Sequence, residues 1–459
     1  MSKPSPQRLL AEGRRCLQLA LPLIGAQLAQ AATGFVDTIT MGRLGRDALG
    51  AGALGTVFFM ELFVVGTSLV ASISPFIAEA YGAGRLRRTG QWLDHGIWLA
   101  MAIACPISLL MWNAAPLLRA LGQSDTVVTL GSQYLQAASI AYLPALLFIA
   151  LRSFVSALLR PQIVLAITLG GVALNAAANE VLAFGRLGLP ALGLAGIGWS
   201  TTCIYWSMAL ALLVYVMRHR EFIPCRPLRS LHRPCWRDLW ELLRIGIPVG
   251  ILSTLETSLF LVMTIFAGQM GVVVIAAHQI ALQTAAVTFM VPLGISQAAT
   301  VRVGQCLGKS DWPTARLSGL LSLGLGGGFM GVMGLLMLLL PRPIVSIYLN
   351  LEDPANREVV ALAGVMLAVG AVFQVADGLQ VIAAGALRGL KDTRTPMLMG
   401  VVAYWLVGVP SGYTAGFHLG WGGVGLWWGL AVGLITSAAA LTWRFHRLTL
   451  LPVLPDPQC

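Results

Sequence analysis

The chain has 459 residues, 57% hydrophobic and only 11% charged, with a mean hydropathy of +0.79. An ordinary soluble domain carries roughly 25% charged residues, so this composition defines a membrane protein and leaves little chain for a soluble domain. The net charge of +11 comes from basic residues scattered through short segments, which argues against a nucleic-acid face, and the seven cysteines show no paired spacing that would staple a small secreted fold.

A helix rising 1.5 Å per residue needs about 20 apolar residues to cross the hydrocarbon. Apolar stretches bounded by charges predict twelve spans, at residues 17–41, 48–76, 95–118, 133–151, 162–184, 191–217, 241–266, 273–300, 315–340, 358–385, 396–416 and 421–443. The residues before the first span are polar and basic, so no cleavable signal peptide is expected. With the N-terminus inside, 24 of the 30 Lys and Arg fall in inner segments, among them Lys3, Arg8, Arg152, Arg160 and the seven arginines of 218–244. The positive-inside bias then places both termini in the cytoplasm.

Shifting the sequence by 226 residues aligns Pro22 with Pro248, Thr38-Ile39 with Thr264-Ile265, Gly45 with Gly271 and Gly82 with Gly308, without a gap. The expected domains are therefore an N-terminal lobe at 1–217, a basic cytoplasmic linker at 218–240 and a C-terminal lobe at 241–459. Six spans per lobe is an even number, so the pseudo-twofold axis should run along the membrane normal, with a central cleft between the bundles. The expected fold class is all-α: twelve transmembrane helices in two six-helix bundles.

Five of the nineteen acidic residues lie inside predicted spans: Asp37, Glu61, Glu180, Glu256 and Asp377. A charge at a helix centre costs about 2.5–3.5 kcal/mol, so each needs a partner, an aqueous cavity or a function. Gln27, Gln30, Thr33 and Asp37 recur at intervals of three and four on the first span, one helical face expected to line the cleft. Asn175 and Asn179, one turn apart on the fifth span, can reach the depth of Asp37. Oxygen donors beside a carboxylate suit a hard monovalent cation or a proton.

In the second half, Glu256 stands beside Ser253, Thr254 and Thr257, while Gln374, Asp377 and Gln380 form a polar stripe on the tenth span and Gln279 and Gln283 a pair on the eighth. For any one acid the alternative is a satisfied structural hydrogen bond between helices. Glu61 has no polar stripe around it, Glu180 is close enough to a span end to be solvated, and His278 reads as a helix-packing hydrogen bonder. GxxxxGK[ST] is absent, so gradient coupling rather than ATP is the expected energy source, with no cofactor.

The segments LALPLIGAQLAQAATGFVDTITMGRLG (19–45), IPVGILSTLETSLF (247–260), AAHQIALQ (276–283) and VADGLQVIAAGALRGLKDTRTPM (375–397) resemble the NorM-like branch of the multidrug and toxic compound extrusion (MATE) family. The resemblance implies a secondary antiporter that exports cationic or amphipathic drugs or dyes in exchange for Na+ or H+. Asp37 matches the family's first-span acid, with Asn175, Asn179 and Thr201 as its neighbours. Glu256 and Asp377 match the acidic pair of the C-terminal lobe. Some relatives carry an acid at the position of Asn179, so the choice of ion stays open, and Glu61 matches no motif of the family.

Two rivals remain. A lipid-linked oligosaccharide flippase of the same broad fold group should place basic residues in the cleft to hold pyrophosphate. A membrane-embedded enzyme should gather a nucleophile, base or metal set, whereas the six histidines are dispersed. The expectation is a monomeric antiporter of the bacterial inner membrane whose partners are small-molecule drugs or dyes and the lipid bilayer, with no nucleic acid, no ATP and no metal beyond Na+ at Asp37 or at Glu256 and Asp377.

Overall fold

The computed structural model describes residues 6–120, 122–186, 188–231 and 234–450, so Lys3, positions 232 and 233 of the basic linker and the tail after 450 lie outside the described residues. Twelve helices are long and apolar enough to cross a membrane, and among the described residues there is no strand. They are α1 (Pro6–Arg43), α2 (Arg46–Gly82), α3 (Leu86–Trp112), α4 (Asp125–Ala157), α5 (Pro161–Leu182), α6 (Leu194–Arg218), α7 (Trp236–Gln269), α8 (Val272–Gly308), α9 (Trp312–Leu339), α10 (Pro354–Gly389), α11 (Arg394–His418) and α12 (Gly422–Leu450).

Each of the twelve expected spans overlaps one of these helices, and several helices overrun them; the third, expected over 95–118, breaks after Trp112, and a separate short helix follows at Ala114–Ala120. α1 begins at Pro6 rather than at 17, and its 38 residues make a rod of about 57 Å, well beyond the hydrocarbon thickness. Hydropathy sees only the apolar part of a helix. The polar turns continue because each added residue makes another backbone hydrogen bond.

The chain divides into two compact units. One holds Gly25–Gly250; the other holds Ile251 onward together with the start of α1 up to Ile24. In the first, α4 is the central helix, and Tyr142 anchors its core. The Tyr142 ring meets Phe59 edge-on at 6.2 Å, and its hydroxyl donates to the Leu62 carbonyl at 2.6 Å. The basic connector is docked rather than loose. Asp94 of α3 accepts from the backbone of Leu228 at 2.7 Å and Ser230 at 2.8 Å, and Trp98 donates to the Leu231 carbonyl at 2.7 Å. Arg160 grips Glu221 with a forked pair, and that hydrogen bonding holds the exposed Glu221 carboxyl below its ordinary pKa.

In the second unit α10 is central. Phe373 and Trp427 pack at 5.3 Å between ring centres, and His278 is fully buried between Thr264 at 3.0 Å and the indole N–H of Trp427 at 3.2 Å. Trp is a donor only, so the ring Nδ1 accepts and His278 acts as a packing hydrogen bonder. The start of α1 is clamped here by Glu12, 2% exposed, which accepts from Arg302 Nε at 3.0 Å and from Ser318 at 2.7 Å.

Glycine permits two close approaches. A Cβ at Gly429 of α12 would lie 2.2 Å from the Cα of Gly412 of α11, and one at Gly326 of α9 would meet Ile382 of α10 at 2.0 Å. Small residues let helix backbones approach where lipid offers no hydrophobic drive. α11 carries π-helical turns at 401–408 and 414–418, each a local widening of the helix that re-aims side chains.

The repeat is written into the backbone. Gly45 before α2 has φ 111 and ψ 173, and its counterpart Gly271 before α8 has φ 113 and ψ 171, a region open only to glycine. Gly271→Ala is therefore expected to lower stability by about 1–3 kcal/mol from backbone strain alone, since a Cβ there has open space around it. Gly13→Ala, equally unobstructed but within helical α1, should instead stabilise by about 0.5–1 kcal/mol. Thermal melting of the two purified variants in detergent checks both signs.

Candidate ion-coupling sites

The first site is built on α1 and α5. A face of α1 that is polar every three or four residues carries Asp37, and successive turns of α5 present Asn175 and Asn179, both fully buried. Their amide nitrogens donate to the same carboxylate oxygen, Asp37 Oδ1, at 3.0 and 2.8 Å. Thr40, a turn along α1, lies 3.5 Å from the Asn179 nitrogen. The carboxamide oxygens of Asn175 and Asn179 are buried without a hydrogen-bond partner. One carboxylate and two spare carbonyl oxygens form the donor set that a hard cation uses, and the carboxylate alone suffices for a proton.

The rest of the α1 face is engaged differently. Gln27 is buried and accepts from Arg152 of α4 at 2.7 Å, Gln30 hydrogen-bonds Tyr205 of α6, and Thr33 returns its hydroxyl to the Ala29 carbonyl at 3.3 Å. Thr201 donates to the Ile197 carbonyl of its own helix at 3.0 Å and is not hydrogen-bonded to Asp37. Arg152 was expected at a span end. α4 runs on to Ala157, which draws this guanidinium into the unit at 7% exposure. A cation within an apolar run was the available signal for it, and no sequence spacing marks Tyr205.

Glu180 belongs to a surface cluster. It pairs with Arg43 and with Arg186 at 3.0 Å, and Arg43 also lies over the Phe184 ring at 4.8 Å. Glu61 is exposed.

The second site joins four helices of the other unit. Glu256 of α7 accepts from Gln380 Nε2 of α10 at 2.7 Å, and the same amide reaches Asp377, one turn away on α10. Asp377 is 4% exposed, and its Oδ1 has no hydrogen-bond partner. The Tyr404 hydroxyl of α11 donates to Gln380 Oε1 at 2.7 Å, and Ser437 of α12 donates to Tyr404 at 3.3 Å. Neither Tyr404 nor Ser437 stands out in the sequence, because hydropathy reads both as parts of ordinary spans. Gln374 is fully buried and exchanges hydrogen bonds with Thr288 at 2.7 and 2.8 Å, whereas Gln279 and Gln283 are exposed on α8.

Carboxylates placed inside the spans and held by amides, on a frame of twelve apolar helices, define a membrane transporter rather than an enzyme. The MatE family model matches residues 22–181 and again 248–414, two copies in the register of the internal repeat. The chain belongs to the MatE family, as a multi-pass bacterial membrane protein. The "Probable multidrug resistance protein NorM" of Synechocystis sp. is 41% identical over 438 residues, covering 95% of both chains. The "Multidrug resistance protein NorM" of Burkholderia vietnamiensis is 41% identical over 436 residues, covering 94% of this chain and 93% of that one.

Solved structures show the same fold at low identity. The eukaryotic MATE transporter AtDTX14 is 20% identical with a TM-score of 0.83, over 96% of this chain and 98% of that one. The Vibrio cholerae MATE transporter VcmN in its bent form is 17% identical with a TM-score of 0.86, over 96% and 98%.

Gln380 is the hub of the second site, so Gln380→Ala leaves both Glu256 and Tyr404 without their partner and should destabilise by about 1–3 kcal/mol. Gln283→Ala, at an exposed position, should stay within about 0.5 kcal/mol. Detergent melting curves of the two variants separate buried networks from exposed polarity.

Proposed function

We propose that the protein is a secondary multidrug efflux antiporter of the bacterial inner membrane, exporting cationic or amphipathic organic compounds in exchange for Na+ or H+ by alternating access. Both termini face the cytoplasm, the working form is a monomer, and the repeats 1–217 and 241–459, joined by 218–240, are its two lobes. The observation that carries this reading is that each half holds carboxylates inside its spans, half-buried at Asp37 and Glu256 and buried at Asp377, whose partners are neutral amides rather than arginines or lysines: Asp37 with Asn175 and Asn179, Glu256 and Asp377 with Gln380. An amide holds a carboxylate without neutralising it. The negative charge remains available to a cation.

Coupling then follows from differential affinity. A cation bound at these carboxylates stabilises whichever conformation binds it more tightly, and it can shift the equilibrium only by that difference. A cationic drug competes for the same charge. Exposed Gln279 and Gln283 of α8 supply polar contacts of substrate passage in the second unit, and Gln30 and Thr33 of α1 do so in the first, whereas Gln27, Gln374 and Gln380, expected in the same role, are buried and engaged with Arg152, Thr288 and Glu256. The names of the 41%-identical relatives support drug export as the outcome.

The chain's own chemistry favours this reading over a pyrophosphate-binding flippase. Arg152, the buried guanidinium of the first unit, is committed to Gln27 at 2.7 Å. Ethidium efflux from cells producing Asp37→Asn, Glu256→Gln or Asp377→Asn should fall at least about tenfold, the loss of one charge-assisted interaction. Wild-type efflux by all three variants at normal membrane levels overturns the coupling proposal.

A further inference from the structure

The second site contains a chain of hydrogen bonds whose direction is forced. An ionised carboxylate can only accept, so with Glu256 unprotonated the Gln380 carboxamide must face it with its nitrogen, 2.7 Å away. The opposite end of that amide is then an acceptor, so the Tyr404 hydroxyl must donate to Oε1, at 2.7 Å. With its hydrogen committed, Tyr404 accepts from Ser437 at 3.3 Å. The donors thus run Ser437, Tyr404, Gln380, Glu256, from α12 through α11 and α10 to α7. Tyr404 is completely buried, on the π-helical turn at 401–408 that carries α11 past α12.

We propose that Tyr404 is a specificity-determining residue that biases the Glu256–Asp377 site toward H+ and against Na+; the proposal rests on these two acids being a coupling site. Sodium is a hard cation and takes oxygen ligands. The amide locked by Tyr404 turns its N–H face, not its oxygen, toward the acids. For Gln380 to offer Oε1 to sodium, the carboxamide must turn over, which brings its N–H hydrogens against the Tyr404 donor. Tyr404 and Ser437 must then both reorient inside a packed core. A proton makes no such demand. It can be taken up by Asp377 Oδ1, a buried acceptor with no partner, while the donor chain stays as it is.

The charged and titratable groups near the site come from few of the helices packed around it. α7 brings Glu256, α10 brings Asp377, and α11 brings Tyr404, while α12 brings only the Ser437 hydroxyl. On α8 His278 is engaged with Thr264 and Trp427, Arg302 is paired with Glu12 and Gln305, and Cys306 lies one turn beyond Arg302, while α9 carries no titratable residue beyond Arg316 in its first turns.

The test is ethidium transport by purified full-length protein in proteoliposomes, driven by a pH gradient alone or by a sodium gradient alone. Wild type should run on the pH gradient and only weakly on sodium. Tyr404→Phe frees the carboxamide to rotate, and the sodium-driven to proton-driven rate ratio should rise about fivefold to tenfold, the worth of one ordinary hydrogen bond. Ser437→Ala, which loosens but does not remove the Tyr404 donor, should move the ratio the same way by less, and serves if Tyr404→Phe does not accumulate. An unchanged ratio in both variants, or a wild type equally driven by sodium, overturns the proposal. Glu256→Gln separates the two readings: its loss of transport beside an unchanged Tyr404→Phe ratio sinks only the role of Tyr404, and full transport by Glu256→Gln sinks the coupling site itself.

Discussion

A carboxylate inside a membrane-spanning bundle is stable only if something in the protein replaces water, and the choice of replacement decides what the group can do. An arginine partner neutralises the charge and ends its availability, as at Glu12, which Arg302 and Ser318 engage from two helices. An amide partner satisfies the hydrogen-bonding need and leaves the charge in place. Asp37, Glu256 and Asp377 all have the second kind of partner. The distinction separates acids that fasten helices from acids that can exchange a cation.

Holding an amide against a carboxylate requires several helices to meet at one depth, and that requires close packing without a hydrophobic drive between helices. Glycine supplies the approach: Gly429 against Gly412 brings α12 to α11, and Gly326 lets α9 rest on Ile382 of α10. The π-helical turns of α11 then aim Tyr404 at Gln380. The docked connector shows the same economy in the other unit, where Asp94 satisfies two backbone N–H groups of a segment that composition alone marks only as basic.

The internal repeat makes much of the fold legible in the sequence. A gapless offset of 226 residues pairs Gly45 with Gly271, and both adopt the same glycine-only backbone conformation before α2 and α8. The duplicated chemistry is not symmetric. Asp37 is held by two asparagines of a neighbouring helix, whereas Glu256 and Asp377 share one glutamine on a chain of donors that crosses four helices.

Composition, periodicity and charge by themselves establish twelve spans, the duplication and the short set of acids that lipid makes expensive, because each of these is a property of local chain and solvent. What they could not supply was contact across helices. Asn175 and Asn179 could be matched to Asp37 by depth, but Thr201 turns to its own backbone, Arg152 enters the interior because α4 runs longer than its apolar run, and Tyr404 and Ser437 carry no mark in the sequence. Helix rotation and register are set by packing against neighbours far away in the chain. Only the tertiary structure decides which polar groups face one another, since that depends on the sum of many weak contacts that no single segment encodes.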